Sequence, residues 1–345
     1  MMRSMAGKKI VGLILCAVVS FAVYGNGQTE SSGAGSQKPE FVLKAGGSGP
    51  IGTYFDAFYL GFGKEVEAKS NGRIKVDFYP SNTLGGEREL MEMVQQGLAD
   101  VNMSSNSVYS LFDPNWAILD IPYLFPTREE MYGFLDSPAS QKLKDGMLAK
   151  GVRILAIGEN TVRQVSNKKH EVVTVDDLKG LKIRVTETPA MVDWLKSVGA
   201  DPTVLPLPEL YTALQQSVVD GQDNGMSNGY LVKFHEVQKY WTDTNHQINV
   251  MPIGISEKTW QKLPPDLQAV VAEAAVNAGK AGRQASIDFE KAVIPTLEAA
   301  GIKVTLLTDD QRTTFIKSAE PIVKKYGAKI DPELWSAVMK FLGRN

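Results

Sequence analysis

The sequence predicts an α/β fold assembled from two similar halves with mostly parallel sheets. Three observations carry this reading. Strand-like and helix-like segments alternate from Phe41 onward. The stretch ELMEMVQQGLAD at 89–100 returns as ELYTALQQSVVD at 209–220, an offset of 120 residues that suits a domain and is too long for a solenoid repeat. The 345 residues, 43% hydrophobic and 22% charged, suffice for about two domains with sizeable cores.

In chain order, residues 1–25 stand apart. Arg3, Lys8 and Lys9 precede IVGLILCAVVSFAV, an apolar run from Ile10 to Val23 that is short for a bilayer span. Val23 and Gly25 offer a cleavage point, so the segment reads as a secretory signal peptide. The alternative is a membrane anchor or a lipoprotein built on Cys16, against which stands the bulky Leu15 before it. Cys16 is the only cysteine, so the mature chain would have no disulfide and no thiol chemistry. Losing the three leader cations takes the formal charge from −2 to −5, with no basic excess for nucleic acid. His170, His235 and His246 lie at no metal-ligand spacing, and no cofactor is expected. NGQTESSGAGSQKPE, 26–40, reads as a disordered polar linker.

FVLKA (41–45) and RIKVDFYP (73–80) read as strands, with a helical pattern between them; VRILAIG (152–158), LKIRVTE (181–187) and INVMPIGI (248–255) are further strands. A long helix is expected from Pro265 to Ala300, opened by Pro264 and Pro265 and kinked at Pro295. In the two echoed windows Leu90, Val94 and Leu98, and then Leu210, Leu214 and Val218, recur four apart, the core stripe of an amphipathic helix. Gly97 is a natural cap for the first. Each window follows an extended stretch ending in proline and leads to a polar one, NMSSN or GQDNGMSN. Two such halves facing each other would bring the polar stretches to a shared cleft.

Two enzyme-like patterns compete. Gly47 to Gly52, GSGPIG, matches a dinucleotide-binding turn, but Pro50 has no amide for a phosphate and Asp77 sits inside the next strand; a tight turn is the simpler reading. Gly225-Met226-Ser227-Asn228-Gly229 matches a hydrolase elbow with Asp243 and His246 following, yet polar GQDN replaces the apolar strand the elbow needs.

GLKIRV, VGADPTVLPLPELYTALQQSVVDGQDN and TNHQINVMPIGISEKTWQKLPPDLQAVV resemble the substrate-binding subunits of tripartite ATP-independent periplasmic (TRAP) transporters, the DctP family. NGRIKVDFYPSNTLGGERELMEMVQQGLADV and LDIPYLF fit the same family, so the resemblance covers about Phe41 to Leu306. It implies a type II periplasmic binding protein: two α/β domains, crossover strands and a long C-terminal spanning helix. It further implies a periplasmic monomer that closes on one organic acid and passes it to the small and large membrane subunits of a permease. Domain I would comprise 41–160 plus about 250–290, and domain II 161–249 plus about 291–345.

A carboxylate leaving water needs a donor for both oxygens, which a planar guanidinium supplies. In LKIRV, Leu181, Ile183 and Val185 share one face, leaving Lys182 and Arg184 on the other. The resemblance puts the carboxylate-clamping arginine on Arg184, a second arginine on Arg163 as in sialic-acid binders, and the cleft asparagine on Asn224. Taken alone, Arg184 also reads as a surface charge and Asn224 as a turn residue. The first half would contribute Ser48 on the glycine-rich turn, Glu87 at the start of the echoed helix, and Ser105 and Asn106 after the following strand; each also reads as a turn or cap residue. A ligand-facing Glu87 would repel a second carboxylate and accept from hydroxyls, which favours a sugar acid such as a uronate or aldonate over a C4-dicarboxylate. Gly225 stands where family members often have proline, and Leu207 where sialic-acid binders have an aromatic. No turnover is expected; a secreted serine hydrolase on Ser227 and a ligand-responsive signalling or adhesion module are the competing classes.

Overall fold

A computed structural model describes residues 38–344. The signal peptide, Cys16 and all but the last three residues of the 26–40 linker lie outside the described residues.

The first half runs β1 (Phe41–Gly47), α1 (Asp56–Lys69), β2 (Ile74–Tyr79), α2 (Glu87–Gln96), β3 (Val101–Met103) and α3 (Asn106–Tyr109). Helices α4 (Arg128–Asp136) and α5 (Gln141–Leu148) lead to the long strand β4 (Val152–Asn167). The second half runs β5 (Lys182–Val185), α6 (Pro189–Ser197), β6 (Asp201–Val204), α7 (Leu207–Gln215), β7 (Gly221–Asn224) and α8 (Met226–Leu231), and the long β8 (Tyr240–Ser256) returns. Then come α9 (Glu257–Trp260), α10 (Pro265–Ala299), β9 (Lys303–Thr305), α11 (Asp309–Gly327) and α12 (Pro332–Phe341).

Among the described residues the strands join in one sheet of order β2-β1-β3-β8-β4-β7-β5-β6, with β9 on β8. Within each half the pairs are parallel, as expected; the antiparallel pairs are β3–β8, β8–β4 and β4–β7 at the centre. The sequence marks only one end of each crossing strand, VRILAIG and INVMPIGI. Their other ends, ENTVRQVSN and YWTDTNHQ, are polar, yet the first is buried throughout and the second largely so. α10 matches the expected long helix, with Pro265 in its first turn and Pro295 within it.

The echo proves to be one construction used twice. Asp100 takes the amide of Lys44 on its carboxylate at 2.8 Å while its own amide donates to the Lys44 carbonyl at 2.8 Å. Asp220, 120 residues on, does the same with Lys182 at 2.9 and 2.8 Å. Each aspartate thus locks the start of one parallel strand onto its neighbour. Gly97 (φ 77°) and Ser217 (φ 65°) end the two helices in the left-handed region, and amides fold back onto Met93 and Ala213 alike. This reversal corrects one expectation. Leu90, Val94, Leu210 and Leu214 are buried, but Leu98 and Val218 lie beyond the reversal and are 59% and 53% exposed.

Candidate functional site

Both halves and β4 enclose a cavity of about 320 Å³, at the small end for organic ligands. The N-termini of α2 and α7 face it through Glu87 and Leu207, and the segments after β3 and β7 supply its floor. Of the seven expected residues, Ser48, Glu87, Ser105, Arg163, Arg184 and Asn224 line it. Asn106 does not. It is fully buried, donating to Asp120 at 2.7 Å and accepting from the Asn249 side chain and the Val250 amide at 2.8 and 3.0 Å. Both polar atoms of its amide are therefore engaged within the protein.

The two arginines differ. Arg163 is held by Asp223 through a fork, Nε and Nη2 donating to the carboxylate at 2.8 and 3.0 Å, with Nη2 also reaching the Asp223 carbonyl at 2.5 Å. Asp223 also accepts from His246 Nε2 at 2.9 Å, and His246 Nδ1 lies 2.9 Å from the Thr244 hydroxyl, within hydrogen-bond distance. Burial alone would raise the Asp223 carboxyl, but Arg163 and His246 outweigh it and hold it well below the usual range. Arg184 is equally buried, and its Nε donates to the Leu205 carbonyl at 2.8 Å. Among the described residues it forms no salt bridge. Burial, then the like charge of Arg163, push its guanidinium down to about 9. A buried cation without a counter-ion is costly, and this one sits on a cavity wall.

Opposite it, Glu87 Oε1 accepts from Ser48 Oγ at 2.8 Å and the Ser105 amide at 3.0 Å. The Asn224 Oδ1 accepts from the Gly225 amide at 2.9 Å, which fixes the side chain so that its NH₂ remains a donor for the cavity. Gly225 has a steric reason: a Cβ there would lie 1.7 Å from Thr161 Oγ1. Val204, Leu205, Pro206 and Leu207 give one wall an apolar surface.

Sequence reading missed Asn160, Ser107 and Asn228, which also line the cavity. Asn228 lies in α8, four residues after Asn224 at the end of β7, inside the polar stretch GQDNGMSN expected at the cleft, and that stretch is the signal that could have found it. Asn160 and the Asp223–His246 buttress carry no local signal, because the partners come from separate strands. The hydrolase reading fails geometrically: His246 gives its ring nitrogens to Thr244 and Asp223, and Asp243 pairs with Arg312 at 2.8 Å. The glycine-rich turn is a packing device, since a Cβ at Gly49 would lie 2.5 Å from the Phe55 ring.

Asp120 is buried behind Ser107, whose hydroxyl it accepts at 2.9 Å together with the Gln247 amide at 2.8 Å. Burial pushes its carboxyl up to about 6 despite these bonds, and its Oδ2 has no partner. Folded above the ordinary value of about 3.9, this group contributes fully below about pH 4, and the contribution is lost as pH rises through about 6. Asp120→Asn keeps an acceptor and removes the buried charge. It should raise stability over wild type by about 2 kcal/mol at pH 7.5 and by much less at pH 4.5, read by calorimetric unfolding at both.

Comparison with known proteins agrees with this architecture. The family model for bacterial extracellular solute-binding protein, family 7 (DctP), matches residues 49–329. A TRAP periplasmic solute-binding protein from Polaromonas sp. JS666, solved with D-erythronate, is 34% identical with a TM-score of 0.82, covering 86% of this chain and 98% of that one. The sugar acid binding protein of Advenella mimigardefordensis, solved with galactonate, is 28% identical with a TM-score of 0.84, covering 89% and 98%. The C4-dicarboxylate-binding periplasmic protein of Vibrio cholerae is 30% identical over 280 residues, 80% of this chain and 83% of that protein. These are solute-binding receptors and not enzymes, their fold is the two-part α/β architecture described above, and no helix among the described residues is long and apolar enough to cross a membrane. The chain belongs to the DctP family of bacterial extracellular solute-binding proteins.

Proposed function

We propose that the protein captures one small hydroxylated monocarboxylate, a sugar acid such as an aldonate or uronate, and hands it to a TRAP membrane permease. The observation that carries this is the charge balance of the cavity. Arg163 is already neutralised by Asp223, Arg184 has no acidic partner among the described residues, and Glu87 faces them. One ligand carboxylate completes Arg184 with a bidentate pair. A second carboxylate would meet Glu87, which instead suits a hydroxyl donor. Asn160, Asn224 and Asn228 add amide groups matched to further hydroxyls, and the apolar wall accommodates a carbon chain.

The galactonate and erythronate complexes of the Advenella and Polaromonas proteins support the class. Ligand bound to both walls would favour a closed state, with 41–160 plus about 250–290 acting as one lobe and 161–249 plus about 291–345 as the other. Residues 1–25 would direct export to the periplasm, where the family acts. A thermal-shift screen tests the reading with D-galactonate, D-glucuronate, D-erythronate, succinate and N-acetylneuraminate. A sugar acid at a hundred times its Kd should stabilise by about 2.7 kcal/mol. Stabilisation by succinate alone would overturn the monoacid reading, and no response to any acid would overturn acid binding.

A further inference from the structure

A fully buried carboxylate in a sheet strand demands an explanation, because ionised groups are left inside only when fully partnered. Glu159 on β4 is such a group, its side chain wholly inaccessible. Arg128 of α4 grips it through Nε and Nη2, both at 2.9 Å, Ser286 Oγ of α10 donates at 2.8 Å, and the Tyr132 hydroxyl donates as well. Arg128 also bonds Glu290 of α10.

Directly after Glu159 the β4–β8 register slips, so that Asn160 is the extra residue between the Glu159–Val250 and Thr161–Asn249 pairs. Bulges of this kind re-aim a side chain. Here the bulge turns Asn160 toward the cavity, with its Nδ2 donating to Asn249 at 2.8 Å. The Asn160 carbonyl accepts the Tyr54 hydroxyl at 2.6 Å, and the Tyr54 ring stacks on Phe289 of α10 at 5.1 Å. Ser286, Phe289 and Glu290 lie three and four apart on one face of α10, so a single turn of the spine helix holds both residues of the bulge. One turn earlier Arg283 Nε donates to the Ile157 carbonyl at 2.9 Å, and Gly279 lets the helix approach Ala156 and Ile157 closely.

We propose that Glu159 is a positioning residue for ligand capture: clasped by α4 and one turn of α10, it fixes the bulge that presents Asn160 to the bound acid. Glu159 itself faces away from the ligand and acts only through its neighbour. The inference rests on the acid-binding reading, and a double-mutant cycle tests it by titration calorimetry with D-galactonate, D-glucuronate and D-erythronate. Glu159→Gln leaves Glu290 to neutralise Arg128, so it loosens the clasp without stranding a cation. It and Asn160→Ala should each raise Kd by about tenfold, and the double variant should be no weaker than the worse single one, since residues acting as a unit do not add. Ser286→Ala removes one bond of the clasp; it should shift Kd in the same direction by less, again without adding to Asn160→Ala, and covers the case in which Glu159→Gln does not fold. A general loss of stability would lower the melting temperature and leave the Kd of the folded protein unchanged. Unchanged affinity in Glu159→Gln, or a multiplying cycle, overturns the proposal while wild-type binding upholds the acid reading. A wild type that binds none of the three acids overturns both.

Discussion

Arg184→Ala should weaken binding of the cognate acid by about two to four orders of magnitude and leave the ligand-free protein as stable as wild type, or more so. The two halves of this result have one cause. In the complex the substitution strands a buried carboxylate, a loss of about 3–5 kcal/mol. Without ligand it removes a buried guanidinium that forms no salt bridge among the described residues and already feels Arg163 as a like charge. Titration calorimetry reads the first effect and thermal unfolding the second. Arg184→Lys should recover only a small part of the affinity, because an ammonium lacks the fork that satisfies both oxygens. Near-wild-type affinity in Arg184→Ala would remove the clamp from the site.

Asp223→Ala should do the reverse and destabilise the empty protein by about 3–5 kcal/mol. It leaves Arg163 buried beside Arg184 without a counter-ion, holding only the backbone carbonyl of residue 223, so two uncompensated cations line one cavity. For a chain of this size the melting temperature should fall on the order of 5–10 °C, and saturating acid should restore part of it. The same pair gives the wild type an acid limb. The Asp223 carboxyl titrates below its unfolded value of about 3.9, so its contribution is full above about pH 4 and is lost as pH falls further. The limb should be absent from Asp223→Ala. An unchanged melting temperature in that variant would mean that the Arg163–Asp223 fork contributes nothing net.

What the sequence disclosed followed from local rules. Alternating polarity in LKIRV is enough to turn Arg184 away from the core of its half, and helical spacing is enough to bury Leu90 and Leu210. Reversal after Gly97 and Ser217 defeats the same spacing one step later, since a left-handed residue swings Leu98 and Val218 outward. The far ends of β4 and β8 were illegible because their polar residues are buried by partners from elsewhere in the chain, as Arg163 is by Asp223 sixty positions on. Asn106 looked like a cleft residue beside Ser105 but does not line the cavity; Asp120, Asn249 and the Val250 amide engage it inside the protein.

The matched helices α2 and α7 open with Glu87 and Leu207, positions separated by the same 120 residues as the rest of the echo. An acid has a head and a tail, and two identical walls would admit it either way round. With an oxygen acceptor on one side and hydrocarbon on the other, the proposed guest would be accommodated in a single orientation. Its direction would then be set where the duplicated parts differ.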